Sequence, residues 1–263
     1  YNYAIYTEDG DILYTDKILS TKKNLFNNII LEFNGGKTKN PLGILENPPS
    51  RTIMDTKDIA LDSLTNGKKI LIIYIDALGY ELYEKALALD IIPYMSSLDK
   101  ADKAITTYPP ITDVTFASMV TGETPKYTGI HNRDKKPMKV DSIFEIAAKE
   151  GFSSKVTEGD MKILTCDVET ILHIDENKDG FIDDDIYRYA LKEIANPTDI
   201  LLVHFHSFDD MAHLHGPESK EALDQLKILD GYVKDMMEIF NGDVVIVSDH
   251  GMHDVESGGN HGP

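Results

Sequence analysis

KILIIYIDALGY, residues 69–80, is the stretch on which the fold turns. Six consecutive apolar residues, Ile70–Ile75, run into Asp76, and a helical stretch follows to about Asp90. A β-branched apolar run of this length is far too short to span a membrane. It reads instead as a strand buried on both faces, as in the parallel sheets of α/β proteins. Asp199–Phe205 and Asp243–Ser248 have the same character, and residues 102–107 can form a further strand. Between them lie helical segments: one starting near Thr112, one over Asp141–Glu150 closed by Gly151, one over 182–195, and one over 217–240. The last carries Leu223, Leu226, Val233, Met237 and Phe240 at helical spacing. Apolar strands alternating with amphipathic helices predict an α/β fold with a mainly parallel central sheet flanked by helices.

Upstream of this region the pattern changes. Tyr3–Thr7 and Ile12–Asp16 flank Glu8-Asp9-Gly10-Asp11, a hairpin signal. Residues 34–51, with Pro41, Pro48 and Pro49 among Gly and Asn turn signals, read as an irregular connection. The expected organisation is therefore an N-terminal hairpin and connection over 1–66 and a catalytic domain over 67–263. The first residue is Tyr rather than Met, and Asn260-His261-Gly262-Pro263 form no terminating element, so both ends read as trimmed.

Composition narrows the function. The chain holds 45 acidic against 26 basic residues, a net charge of −19. That balance disfavours a nucleic-acid polymer as partner and leaves a small anionic substrate, provided cations supply local positive charge. Cys166 is the sole cysteine, which removes disulfide frameworks and thiolate metal sites. With no signal peptide visible, a cytoplasmic location is the expectation, though a removed leader stays open.

In open α/β sheets ligands bind beyond the carboxyl ends of the strands. Three strands here deliver metal-capable groups to that place: Asp76 after the first, Asp209 and His213 after the second, Asp249 and His250 after the third. A lone Asp at a strand end is ordinarily a cap; three strands ending this way point to a metal centre. With His261 the candidates are oxygen and imidazole donors, a set that suits zinc and accepts manganese or iron. Asp209 and His213, four apart, share a helix face. Six ligands divide as three per ion, and two ions about 4 Å apart clamp the attacking and leaving oxygens of an in-line displacement.

Three blocks, ILIIYIDALGY (70–80), TTYPPITDVTFASMVTGETP (106–125) and HSFDDMAHLHGP (206–217) with VVIVSDHGM (244–252) and GGNHG (258–262), resemble the alkaline phosphatase superfamily. Within it the resemblance is to the nucleotide pyrophosphatase/phosphodiesterase branch. The blocks stand in the family's order; residues 1–66 carry no such likeness. The resemblance implies one zinc held by Asp76, Asp249 and His250, with Thr112 as a fourth ligand, and another held by Asp209, His213 and His261. It implies that Thr112, ten residues before Gly122, is the nucleophile of a double displacement through phosphothreonine. Where that branch places an Asn three residues after the nucleophile to bind phosphate, this chain has Thr115, whose hydroxyl can donate the same bond. A phosphodiesterase or nucleotide pyrophosphatase is the expectation; a phosphomonoesterase or phosphomutase on the same scaffold and a non-catalytic metal-stabilised binding protein are the alternatives.

Other residues take plainer readings. Asp210 and His215 compete locally with Asp209 and His213, but the family spacing to Gly216-Pro217 that the resemblance implies favours the latter pair. His204, His206 and His253 read as structural residues or as supports of the ligands, and Thr107 and Thr121 as turn or strand residues. Asp175-x-Asn177-x-Asp179-Gly180 resembles half of a calcium loop. Ile186 stands where a bidentate Glu is needed, so residues 175–183 read as an acidic turn rather than a calcium site.

Overall fold

The structure is a computed structural model that describes every residue except 174, 197 and 263. In chain order, the N-terminal region holds β1 (Tyr3–Tyr6), β2 (Ile12–Thr15), β3 (Ile18–Lys23), β4 (Ile29–Phe33), β5 (Gly36–Lys39), β6 (Gly43–Glu46), β7 (Arg51–Thr52) and α1 (Asp55–Thr65). Then follow β8 (Ile70–Ile75), α2 (Tyr80–Ala88), α3 (Pro93–Ser96), β9 (Ala104–Ile105), α4 (Thr112–Thr121), α5 (Pro125–Thr128), α6 (Ile143–Lys149), β10 (Ser154–Glu158) and β11 (Glu169–Leu172). The chain continues with α7 (Asp183–Ile194), β12 (Ile200–Phe205), α8 (Ser207–His215), α9 (Lys220–Ile239), β13 (Asp243–Val247), β14 (Gly251–Val255) and β15 (Gly258–Gly262).

The central sheet runs β11-β10-β12-β8-β13 and every pairing in it is parallel. Strands β8 and β12 are buried at all six positions, because the two-residue period sends alternate side chains to opposite cores. Leu71, Ile73, Ile75, Leu201, Val203 and Phe205 pack on one face with α2, α7 and α9. Ile70, Ile72, Tyr74, Ile200 and Leu202 pack on the other with α1, α4 and α6. The expected doubly covered parallel sheet is what these runs form.

Two short strands were not legible as such. Ser154–Glu158 and Glu169–Leu172 mix polar and apolar residues, and they extend the sheet on the side away from β13. The N-terminal hairpin is β1–β2, paired Tyr3↔Thr15 to Tyr6↔Ile12. The connection read as irregular over 34–51 instead contains β5 and β6: β5 pairs with β4, and β6 pairs antiparallel with β1. Its prolines fall outside those strands, so nothing in the pairing needs their missing N–H. Helix α1 precedes the expected boundary at 66, yet its Ala60 and Leu64 lie in the same core as Ile70 and Ile72.

Candidate active site

The site forms at the carboxyl edge of β12, β8 and β13, three adjacent strands with β8 in the middle. Asp76 follows β8 directly. Asp249 and His250 follow β13. Asp209 and His213 stand one turn apart on α8, the helix that β12 feeds. His261 returns on β15, opposite Met252 of β14. That hairpin lies tight against α8: a Cβ on Gly258, whose φ is +133°, would sit 2.0 Å from the His213 carbonyl oxygen. Only glycine permits such an approach.

Asp76, Asp249 and His250 converge in the interior; Asp209, His250 and His261 converge beside them; in each group the donor atoms lie within 4.8 Å of one another. His250 Nε2 is 3.3 Å from Asp76 Oδ1 and 3.5 Å from Asp249 Oδ2. His213 Nε2 lies 3.5 Å from Asp209 Oδ2 and 2.9 Å from His261 Nε2. Asp76, Asp249 and His250 are buried, whereas the His213 side chain is 35% exposed. The site thus has a deep end and a mouth.

The hydrogen bonds of the three imidazoles show what this arrangement can hold. His213 Nδ1 faces the Gly259 carbonyl at 3.0 Å, His250 Nδ1 the Gly251 carbonyl at 3.0 Å, and His261 Nδ1 the Pro110 carbonyl at 2.8 Å. A carbonyl only accepts, so each Nδ1 carries a proton, and a ring without a second proton turns its Nε2 lone pair into the site. Two of these lone pairs face each other at 2.9 Å, an arrangement that repels unless a cation lies between them or one ring is protonated. Asp76 Oδ1, Asp209 Oδ1 and His250 Nε2 are buried without hydrogen-bond partners among the described residues. Unpaired buried carboxylates and imidazoles are costly. Their donor chemistry fits a divalent cation of the zinc or manganese kind, and the backbone bonds at Nδ1 are the outer support that metal-binding histidines use.

Electrostatics agree. Burial, then the neighbouring Asp76 charge, pushes Asp209 up to about 8 and also raises Asp249. Burial opposes the charged form of His250, yet the adjacent Asp249 and Asp76 carboxylates lift it to about 10. Burial and the nearby His250 charge push His261 down to about 4. Asp76 sits well below the usual carboxylate range: burial acts against it, and the hydrogen bond from His204 together with the His250 ring beside it prevails.

Thr112 opens α4, with its Oγ1 donating to Asp76 Oδ2 at 3.3 Å. It stands where first-turn N–H groups lack intrahelical partners and favour an anion. The Pro110 carbonyl that accepts from His261 belongs to the same turn, so the hairpin carrying His261 is tied to the Thr112 loop. Thr115 stands beside Asp249. It is wholly buried, and its hydroxyl donates to Asp249 Oδ2 at 2.7 Å. It lies one helical turn past Thr112.

Asp210 and His215, the local competitors, are exposed. The structure gives His204 a definite place: its ring stacks on Tyr74 at 3.8 Å, Nε2 reaches Asp76 Oδ2 at 3.2 Å, and Nδ1 reaches Glu158 Oε1 at 3.2 Å. The two carboxylates overcome burial and hold His204 up near 9. Glu158 was missed because β10 was missed; a buried acid ending a strand beside two others was the available signal. In the acidic turn, Asp183, at position nine of the calcium-like pattern, faces away from the loop and accepts the backbone N–H groups of His206 and Ser207. Ile186 is buried in the core beneath.

Comparison with known proteins follows the same lines. The family model described as Type I phosphodiesterase / nucleotide pyrophosphatase matches residues 150–262, a segment that includes Asp209, His213, Asp249, His250 and His261 and begins after Asp76 and Thr112. GPI ethanolamine phosphate transferase 3 of Schizosaccharomyces pombe is 30% identical over 84 residues, 31% of this chain and 9% of that protein. Murine ectonucleotide pyrophosphatase / phosphodiesterase 5, solved as an inactive variant in complex with AMP, shares the fold with a TM-score of 0.58 at 15% identity, over 71% of this chain and 57% of its own. Phosphonoacetate hydrolase from Sinorhizobium meliloti 1021, in complex with phosphonoformate, aligns with a TM-score of 0.53 at 15% identity, over 70% and 57%. The chain spans under three-fifths of the length of these structures and about a tenth of that curated relative.

Proposed function

We propose that this chain, which motif order, family match and fold relate to the nucleotide pyrophosphatase/phosphodiesterase branch of the alkaline phosphatase superfamily, is a two-metal phosphoester hydrolase with Thr112 as nucleophile. The observation that carries the reading is the convergence of three imidazole Nε2 atoms and three carboxylates beside a hydroxyl at a helix start. Asp76, Asp249 and His250 would hold one cation, and Asp209, His213 and His261 the other. Such ions, when bound, lower the pKa of an adjacent hydroxyl and offset charge on the transferring phosphoryl group.

The chain's own groups supply orientation and the covalent step. Asp76 Oδ2 accepts a hydrogen bond from the Thr112 hydroxyl, which turns the Oγ1 lone pairs toward the mouth. Oγ1 attacks phosphorus as its proton leaves, the bond to the leaving oxygen breaks and that oxygen departs as the protonated alcohol or phosphate, and the remaining phosphoryl group stays on Thr112 as a phosphothreonine ester; water then cleaves that ester and restores the Thr112 hydroxyl. The N-terminus of α4 faces the phosphoryl oxygens. Diesters or nucleotide pyrophosphates are the proposed substrates, since AMP is the ligand of one structural neighbour. A second reading, transfer of the phosphoryl group to an alcohol instead of water, is favoured by the transferase name of the curated relative. Turnover of bis-p-nitrophenyl phosphate against p-nitrophenyl phosphate, with and without zinc, tests the first reading. Zinc-dependent cleavage with the diester preferred supports it; no cleavage of either ester under any metal sinks it. Added ethanolamine that diverts product into a new ester would favour transfer.

A further inference from the structure

The N-terminal sheet β3-β4-β5 carries a surface unlike the rest of this acidic chain. Residues 17–39 contain Lys17, Lys22, Lys23, Lys37 and Lys39 against a single acid, Glu32, in a protein of net charge −19. Strand register puts Lys22 opposite Ile30 and Ile30 opposite Lys39, with Glu32 opposite Lys37, so three of the lysines share one face. Glu32 is engaged by Ser20 at 2.8 Å and Lys22 at 3.1 Å. The opposite face is occupied: Leu31 and Phe33 pack with Ile5, Leu13 and Ile18.

At the end of this sheet the β3–β4 turn presents Leu25, 99% exposed, and Phe26, 85% exposed. The turn is built rather than loose. Asn24 Oδ1 accepts from Phe26 N at 2.9 Å and Asn28 N at 3.0 Å, Asn24 N donates to the Asn28 carbonyl, and Asn40 braces Asn28 and Ile29. These bonds fix the backbone that carries two large, almost fully exposed apolar side chains. Leu19 and Ile29 are also exposed, at 57% and 44%, Ile29 on the Leu31 side of β4 directly after the turn.

We infer that this sheet docks on a membrane surface bearing anionic lipid headgroups, with Leu25 and Phe26 entering the headgroup–acyl boundary and the lysines contacting the headgroups. An apolar tip with Lys22, Lys23 and Lys39 beside it at the same end of the sheet matches the layered chemistry of that interface. Charge complementarity selects anionic lipid, and the Leu-Phe tip selects a membrane over a soluble polyanion, which has no apolar layer to receive it. Charges beyond about 8 Å are largely screened at physiological salt, so the local lysines outweigh the distant acidic surface.

Vesicle co-sedimentation of the 263-residue chain tests the inference. Wild type should sediment with phosphatidylcholine vesicles containing phosphatidylserine, weakly or not at all with pure phosphatidylcholine, and less as salt rises. Each of Lys22→Gln, Lys37→Gln and Lys39→Gln should weaken partitioning about fivefold, and Leu25→Asp/Phe26→Asp should abolish it. All of these positions are exposed, so melting temperature and p-nitrophenyl ester turnover should stay at wild-type values. No sedimentation, equal binding to neutral vesicles, or undiminished binding by the Leu25/Phe26 variant would overturn the inference. So would a wild-type dimer in sedimentation velocity that the same variant converts to monomer, since the tip would then be covered by a second copy.

Discussion

Thr115→Val separates two roles for a residue whose position in the sequence and place in the structure point in different directions. Valine keeps the branched shape in a fully buried position and removes only the hydroxyl that donates to Asp249 Oδ2 at 2.7 Å. A hydrogen bond to a charged group contributes about 1.5–3 kcal/mol, and leaving its buried acceptor short of a donor costs a similar amount. Asp249 is already raised by burial and by Asp76, so losing Thr115 raises it further and weakens it as a ligand. Loss of a bond that supports a metal ligand typically lowers metal affinity about 10–100-fold. Thr115→Val should therefore lower zinc affinity by that factor in chelator competition and lower the melting temperature by roughly 3–10 °C, with KM little changed once metal is saturating. Wild-type zinc affinity and melting temperature together with a large rise in KM would refute the reasoning and return Thr115 to direct phosphate binding.

Chelator should lower the melting temperature and zinc or manganese should raise it, because Asp76, Asp209 and Asp249 repel one another without a cation; a hundredfold excess over Kd stabilises by about 2.7 kcal/mol, and no shift at saturating metal would count against the site. Metal binding should release protons at pH 7–8, since His250, held near 10, and Asp209, near 8, are wholly or partly protonated without metal and must be deprotonated to bind it. Affinity should accordingly rise with pH from 6 to 9 in titration calorimetry across buffers of different ionisation enthalpy; a pH-independent affinity would contradict those protonation states. His204→Ala leaves Asp76 and Glu158 buried without their shared partner. A destabilisation of about 3–5 kcal/mol is expected in urea unfolding, and a change under about 1 kcal/mol would mean that the buried triad contributes little.

The parallel sheet was legible because β8 and β12 are buried on both faces, and continuous apolar runs leave few alternatives. Asp76, Asp249 and His250 follow from the same runs, since a strand that ends in the core must deliver its next residue to the sheet edge. The N-terminal strands were read short because Gly36–Lys39 and Gly43–Glu46 are only four residues long and mostly exposed, and their order comes from pairing with β4 and β1 rather than from local pattern. Long-range contacts also account for what was missed in the site. Nothing near Thr115 announces that its hydroxyl meets Asp249, 134 residues away. The link from His261 to Pro110 spans 151 residues and depends on the hairpin β14–β15 folding onto α8.

Rapid acid quench of turnover, followed by peptide mass spectrometry, tests the central claim most directly. Quenching the zinc-loaded chain during diester hydrolysis should trap a phosphoryl ester on Thr112. Thr112→Ala should show neither the adduct nor turnover while keeping its melting temperature and zinc content, and Thr112→Ser should form the adduct at reduced rate because the hydroxyl survives. An adduct on another residue, or wild-type turnover by Thr112→Ala, would contradict the account.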